Sequence, residues 1–146
     1  MNRDEGGDAF KILLRRALVE ELFAHAREAS PEECCGLLGG RGARAESVYR
    51  LRNVAGEASV AYEAAPEDLF AAQRRMREGG EELLGIYHSH PRSADPVPSR
   101  ADVRLAFYPS AIYFIIGFDD AGACVLRAFR ISEREGRWEP AGFAYV

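Results

Sequence analysis

The segment 83–91, Leu-Leu-Gly-Ile-Tyr-His-Ser-His-Pro, runs from an apolar stretch directly into two histidines separated by one residue. Its apolar part, 83–87, has the length and composition of a buried β-strand. His88 and His90 stand at positions i and i+2 of a strand end, so they point to the same face and their ring nitrogens can converge on one ion about 2.0 to 2.1 Å away. The segment therefore predicts a strand that delivers a pair of metal ligands.

A third candidate ligand is Asp102, twelve residues after His90, at the start of a predicted helix. Two imidazoles and one carboxylate form a three-ligand set whose fourth position is open to water, as in catalytic zinc sites. Fe²⁺ also takes two histidines and a carboxylate, so the residue types leave the metal open between zinc and iron. The structural alternative is that Ser99 and Asp102 form a helix capping box, while the histidines bond to water or to backbone carbonyls.

Outward from this segment, helices and strands alternate. Apolar residues at spacings of three and four predict a helix from Leu14 to Ser30, which the following proline ends. A second helix begins at Pro66, is expected to turn Leu69, Phe70 and Met76 toward the core, and ends at Gly79. A short third helix follows from residue 99 to about 107. Strands are predicted for the segments 34–39, 46–53, 60–63, 83–87, 111–118, 124–131 and 138–146.

This mixture of elements predicts one α/β or α+β domain built on a mixed sheet flanked by helices. The segment 111–118 is apolar almost throughout and is expected to be its central strand. With 146 residues, 47% of them hydrophobic, the chain has material for one compact core. Residues 1–8 are polar and glycine-rich and are expected to be a flexible N-terminus, which leaves 9–146 as the domain.

Composition argues against several partners. The chain has 19 Lys plus Arg against 23 Asp plus Glu, a formal charge of -4, and so lacks the basic excess of a nucleic-acid binder. Its longest apolar run, 111–118, is far below the roughly 20 residues of a membrane span, and the N-terminus lacks a signal-peptide pattern. Three cysteines do not make a disulfide framework, which favours a reducing compartment. A cytoplasmic protein with neither nucleic acid nor membrane as partner is expected.

The order of Glu33, then Tyr-His-Ser-His-Pro at 87–91, then Ser-x-x-Asp at 99–102 resembles the motif of the JAMM or MPN-plus zinc metalloproteases, also called JAB-type. The resemblance extends from about residue 10 to 129 and is to a small, stand-alone, prokaryote-like member. One departure is the loop 91–98, which has eight residues where members of the family usually have seven. The resemblance implies a single JAMM/MPN domain whose central mixed sheet is cytidine-deaminase-like.

Carried over residue by residue, the resemblance implies that His88, His90 and Asp102 hold one Zn²⁺ per chain. It makes Glu33 the general base and Ser99 the residue whose hydroxyl stabilises the oxyanion. Such roles agree with the chemistry, because zinc lowers the pKa of its bound water to about 7 and a nearby carboxylate can take the proton.

Glu32 and Ser89 are direct neighbours of these residues in the sequence. Glu32 is the rival of Glu33, but neighbours on a strand face opposite sides, so only one of them can face the site. Glu33 is preferred because it fits the family spacing Glu-x-Cys-Gly. Ser89, between the two histidines, is interpreted as a partner for the backbone or for a ligand.

The resemblance also implies a substrate: the bond after the C-terminal Gly-Gly of a ubiquitin-like sulfur-carrier protein, either a peptide or an isopeptide bond. A slender Gly-Gly tail can pair as an extended strand beside the metal, and the predicted edge strand 60–63 is the expected place for it. Two alternatives stay open. One is a catalytically silent scaffold of the same fold, although scaffolds of this family typically lack the histidines or the aspartate. The other is a zinc hydrolase that acts on a small amide.

Overall fold

The computed structural model describes residues 11–146, so the expected flexible segment 1–8 lies outside the described residues. Within the described part, eight strands and three helices follow one another along the chain. They are β1 (Ile12–Leu14), α1 (Arg16–Ala29), β2 (Cys35–Arg41), β3 (Arg44–Leu51), α2 (Pro66–Glu78), β4 (Glu82–Ser89), α3 (Arg100–Arg104), β5 (Ile112–Phe118), β6 (Cys124–Ser132), β7 (Arg137–Ala141) and β8 (Phe143–Tyr145).

The strands form one mixed sheet in the order β7-β6-β5-β4-β2-β3-β1-β8. β4 runs parallel to β5 and antiparallel to β2, which confirms the prediction of a mixed sheet. Only Gly142 separates β7 from β8, although these two strands stand at opposite ends of the order. Because two successive Cα–Cα steps span at most about 7.6 Å, the two ends of the sheet lie close together and the sheet is strongly curved.

Each face of the sheet has its own apolar core. On one face α1 packs through Leu18, Leu22 and Ala26 against side chains that include Tyr87 and Phe114. On the other face α2 packs through Ala72 and Met76 against another set of strand residues, namely Cys35, Leu37, Leu51, Ile86, Tyr113, Ile115, Phe129 and Ile131. The alternation of side chains along each strand divides the residues between these two cores.

The strand β5 is buried on both faces, as its apolar sequence predicts. It is not the centre of the sheet, however, because β4 and β2 occupy the two middle positions. The central place of β4 has a consequence for the site, because this strand ends in the His-Ser-His motif. Both neighbours of β4 fix its register, with His88 opposite Cys35 of β2 and opposite Ile115 of β5.

Several local predictions are confirmed and others are wrong. The second helix has its predicted ends, and the first ends where the proline signal places it. The first helix begins only at Arg16, because Leu14 belongs to β1, a strand that was not predicted, and the third ends at Arg104, before the predicted residue 107. The predicted strand 60–63 is wrong, because this segment lies in an irregular loop. An isolated β-bridge between Asn53 and Ala64 connects the two ends of that loop. The predicted strand 138–146 divides into β7 and β8 at Gly142. Phe70, expected in the core, is 68% exposed.

None of the described helices is long and apolar enough to cross a membrane. The three cysteines are free thiols, and Cys34 and Cys35 are buried.

Candidate metal centre and active site

Three ligand-type atoms converge at the end of β4. The Nε2 atoms of His88 and His90 lie 3.0 Å apart, and the Oδ2 atom of Asp102 lies 3.0 Å from the first and 3.1 Å from the second. In a tetrahedral zinc site with bonds of 2.0 to 2.2 Å, adjacent ligand atoms lie about 3.3 Å apart. The three atoms therefore form a triangle of nearly the size that one zinc ion requires.

The histidines are held by the strand and by its neighbours. His88 is fully buried, and its ring stacks on the ring of Tyr62 with centroids 4.5 Å apart and planes inclined by 26°. The backbone N–H of His90 donates to the carbonyl of Ile116 at 2.8 Å, which extends the pairing of β4 with β5 past the end of the strand. Burial lowers the pKa of His88, so its ring is held in the neutral form that binds metals.

Asp102 reaches the histidines from the first turn of α3. Its backbone N–H donates to the hydroxyl of Ser99 at 3.0 Å, and its Oδ2 accepts from the backbone N–H of Ser99 at 2.8 Å. The capping box is therefore present, but it does not exclude the ligand role, because the same Oδ2 atom also faces both rings. Burial raises the pKa of Asp102, but the contacts with His88 and His90 outweigh it and hold the pKa well below its usual range.

Glu33 is the second carboxylate of the site. Its side chain is only 6% exposed, and a carboxylate oxygen lies within 4.8 Å of the ligand atoms of His88 and His90. Its pKa is raised to about 7, mainly by burial; His90 lowers the pKa to a smaller extent and the negative charge of Asp102 raises it. Its Oε1 atom has no hydrogen-bond partner among residues 11–146.

Glu33 does not lie on a strand. The prediction that strand geometry turns Glu32 and Glu33 to opposite faces is therefore wrong. Both residues belong to the turn between α1 and β2, which begins at Cys35. The turn nevertheless separates them, because Glu32 is exposed and Glu33 is buried.

Ser89 fastens β4 to the chain just after Glu33. Its hydroxyl accepts a hydrogen bond from the backbone N–H of Cys34 at 2.8 Å, and its own N–H donates to the carbonyl of Cys34 at 3.2 Å. Ser89 is fully buried. Through these two hydrogen bonds, Ser89 fixes the backbone of Cys34, and with it Glu33, relative to His88 and His90.

Ser99 lies at the mouth of the site and is exposed. With Glu33, His90, Ser59 and Arg92 it lines a cavity of about 290 Å³. The hydroxyl of Ser99 accepts from Asp102, but its own hydrogen meets no acceptor among the described residues. A hydroxyl used in this way still has one donor to offer.

An apolar groove of about 500 Å³ lies on the same face of the sheet as His88. Leu37, Ile86 and Tyr113 line it from the strands, and Tyr62 and Phe107 line it from the loops on either side. Tyr62 therefore belongs both to the wall of this apolar groove and to the surroundings of the metal ligands.

The donor set fits a metal ion, and zinc suits it. Two imidazole nitrogens held within 3.0 Å of each other, with a carboxylate oxygen against both, are the ligands of open zinc sites. Two imidazoles and one carboxylate are also a ligand set suited to a divalent cation. The structure thus brings together all five residues that the sequence singled out, namely Glu33, His88, His90, Ser99 and Asp102.

The comparisons with known proteins agree with this geometry. A family model described as prokaryotic homologs of the JAB domain matches residues 15–132. The chain belongs to this family. The match contains the turn with Glu33, the strand β4 and the beginning of α3, so every residue of the candidate site lies within it.

Several curated relatives carry names that describe enzymes. The chain is 39% identical to the desampylase of Haloferax volcanii in an alignment 106 residues long that covers 68% of this chain and 76% of that protein. It is 33% identical to the CysO-cysteine peptidase of Mycobacterium tuberculosis over 136 residues, which are 92% of both chains. The structure of a JAB1/MPN domain protein from Archaeoglobus fulgidus superposes with a TM-score of 0.61 and 18% identity. The superposition covers 94% of this chain and 99% of that protein, which shows that the two share a fold.

Two residues of the site have no signal in the sequence. Tyr62 falls in the predicted strand 60–63, and Asn53 is the last residue of the predicted strand 46–53. Neither carries a motif, and only the folded loop 54–64 brings Tyr62 onto His88 and Asn53 against Glu33.

Proposed function

We propose that this protein is a zinc metallopeptidase that hydrolyses the peptide or isopeptide bond after the C-terminal Gly-Gly of a ubiquitin-like sulfur-carrier protein. The observation that carries the proposal is the triangle of His88, His90 and Asp102 with a buried carboxylate, that of Glu33, beside it. The names of the desampylase and the peptidase among its relatives support a hydrolytic function.

Each residue of the candidate site has its own role in the proposed reaction. His88, His90 and Asp102 would hold the zinc, which when bound acts as a Lewis acid and acidifies water at its open position. Glu33, buried and with a carboxylate oxygen within 4.8 Å of both ring nitrogens, accepts a proton from the attacking water and returns it to the leaving amine. The free hydroxyl hydrogen of Ser99 is directed to the oxygen on which negative charge develops.

The apolar groove is our proposed place for the tail that precedes the scissile bond. Because the segment 60–63 is a loop, the tail has no edge strand to pair with at that place. The groove instead offers apolar walls on both sides, from Tyr62 and from Phe107. Glycines at the two last positions of the tail allow its backbone to come close to the metal without a side chain between them.

The test uses purified protein and three probes. Metal content is measured by mass spectrometry for the wild type and for Asp102→Ala. Hydrolysis is then measured on a ubiquitin-fold sulfur carrier ending in Gly-Gly and fused to a fluorescent protein, on the same carrier joined to a lysine side chain, and on an acetyl-Gly-Gly anilide. A carrier that ends in Ala-Ala is the matched control for the tail.

We expect one zinc per chain in the wild type, its loss in Asp102→Ala, and cleavage of at least one Gly-Gly carrier but not of the Ala-Ala carrier. Cleavage of the anilide alone would replace the proposal by a small-amide hydrolase. A folded wild type that holds no zinc when zinc is supplied would replace it by a silent scaffold.

A further inference from the structure

We propose that Asn53 is a positioning residue that holds the turn with Glu33 and the loop with Tyr62 in one arrangement around the metal ligands. The inference rests on the proposed function, because Glu33 matters to turnover only if it is the base. Asn53 lies outside the motif, two residues after the end of β3.

The first contact of Asn53 is with the backbone of Glu33. Its Nδ2 donates to the carbonyl oxygen of Glu33 at 3.0 Å. The N–H of Glu33 in turn donates to the carbonyl of Ala58 in the loop 54–64 at 2.8 Å. Both backbone groups of Glu33 are therefore tied to Asn53 or to the loop that Asn53 organises, which leaves its carboxylate free to face His88 and His90.

The other contacts of Asn53 are with the loop itself. Nδ2 also donates to the carbonyl of Ala61 at 3.0 Å, while Oδ1 accepts from the N–H groups of Ala55 and Glu63, each at 3.0 Å. Ala61 and Glu63 are the two neighbours of Tyr62, so the side chain of Asn53 fixes the backbone on both sides of it. Tyr62 in turn stacks on the ring of His88.

An asparagine suits this position because it supplies donors and acceptors from one short planar group. An aspartate has the same shape and keeps the two acceptor contacts, but it cannot donate to the carbonyls of Glu33 and Ala61. An alanine loses all of these contacts. The pair of variants therefore separates the loss of the donor contacts, with Glu33 and Ala61, from the loss of the acceptor contacts, with Ala55 and Glu63.

The experiment measures turnover, zinc content and amide hydrogen exchange in Asn53→Asp and Asn53→Ala, each in the wild-type and the Glu33→Gln background. Asp119→Ala is the matched control, since Oδ1 of Asp119 accepts from the N–H groups of Ala121 and Ala123 at 2.9 Å in the turn between β5 and β6, and none of these groups bonds to Glu33 or to the loop 54–64 among the described residues. Loss of two equivalent turn contacts there leaves the candidate site intact.

We expect both Asn53 variants to lower kcat by roughly 10- to 100-fold with one zinc still bound, because a small misplacement of a catalytic group has effects of this size. In the Glu33→Gln background the same substitutions cause a smaller loss, because only the loop that carries Tyr62 against His88 is then still affected. Exchange at the amides of Ala55 and Glu63 becomes faster in Asn53→Ala and stays slow in Asn53→Asp, while Asp119→Ala behaves as the wild type in turnover.

An unchanged kcat in both Asn53 variants would overturn the inference. So would an equal loss in both backgrounds, which means that Asn53 acts independently of Glu33. If the wild type cleaves no carrier, the proposed function fails, and the exchange data still decide whether Asn53 orders the loop: unchanged exchange at Ala55 and Glu63 in Asn53→Ala would refute it.

Discussion

Gly36 and Tyr87 stand opposite each other in β2 and β4, and the ring of Tyr87 lies where a side chain on Gly36 would be. A Cβ atom added to Gly36 would come within 2.3 Å of the ring. The hydroxyl of Tyr87 lies 2.7 Å from Nδ1 of His25, so the ring also connects β4 to α1 one residue before His88. A glycine next to the cysteines of the motif is therefore explained by packing and not by chemistry.

Gly36→Ala should destabilise the protein, because the ring of Tyr87 must move and its contact with His25 is then lost. Overpacking of this kind costs about 1 to 3 kcal/mol. The measurement is the free energy of unfolding in urea, with Gly56→Ala as the control, since a Cβ at Gly56 meets no atom within 4 Å. Equal stability of the two variants would contradict the packing argument.

His25 should make stability depend on pH. Its pKa is lowered to about 4, mainly by burial and to a smaller extent by Arg50, while Glu28 raises it. Between pH 4 and the unfolded value of 6.5, the unfolded chain binds more protons than the folded chain. The contribution of His25 is therefore complete above pH 6.5 and is lost as the pH falls toward 4.

The measurement for His25 is the midpoint of urea unfolding at several pH values from 4 to 7.5, for the wild type and His25→Gln. The difference between the two proteins isolates the contribution of His25 from those of all other titratable groups. We expect the wild type to lose more stability on acidification than the variant. Parallel curves would show that His25 is not held neutral.

How far the sequence predicts this molecule depends on the distance over which each signal acts. The ends of α2 follow from Pro66 and Gly79, which act locally, and both were predicted correctly. The loop 54–64 was predicted partly as a strand, because its conformation depends on Asn53, which contacts residues on both sides of it. The separation of β7 from β8 depends on pairing with β6 and β1, which no local pattern reveals.

The candidate site divides in the same way. His88 and His90 share a face because of strand geometry, which the spacing predicts directly. That Glu33 approaches them is a consequence of the pairing of β2 with β4, with Cys35 opposite His88, and the motif resemblance supplied it where spacing alone did not. Tyr62 carries no signal of either kind.

Glu33→Gln should retain zinc and lose turnover, because the side chain is placed as a base while Asp102 completes the ligand triangle. Removal of a general base typically costs a factor of about 10² to 10⁴ in rate. The measurements are zinc per chain and kcat on the Gly-Gly carrier. Glu32→Gln is the matched control, since Glu32 is the exposed neighbour.

A Glu33→Gln variant that turns over at the wild-type rate would remove Glu33 from the mechanism. Loss of zinc in this variant would instead make Glu33 a ligand, a result that its distance of no more than 4.8 Å from both ring nitrogens makes worth measuring.

Ser99→Ala should lower kcat by about 10² to 10³, the typical loss when one oxyanion donor is removed. It should also lower stability by about 1 kcal/mol, because the hydroxyl caps α3 by accepting from Asp102. Ser99→Thr restores both the acceptor and the donor, so it should recover most of the activity and the stability. The measurements are kcat, zinc content and the unfolding midpoint of both variants. If Ser99→Ala loses stability but turns over normally, the hydroxyl acts only as the helix cap.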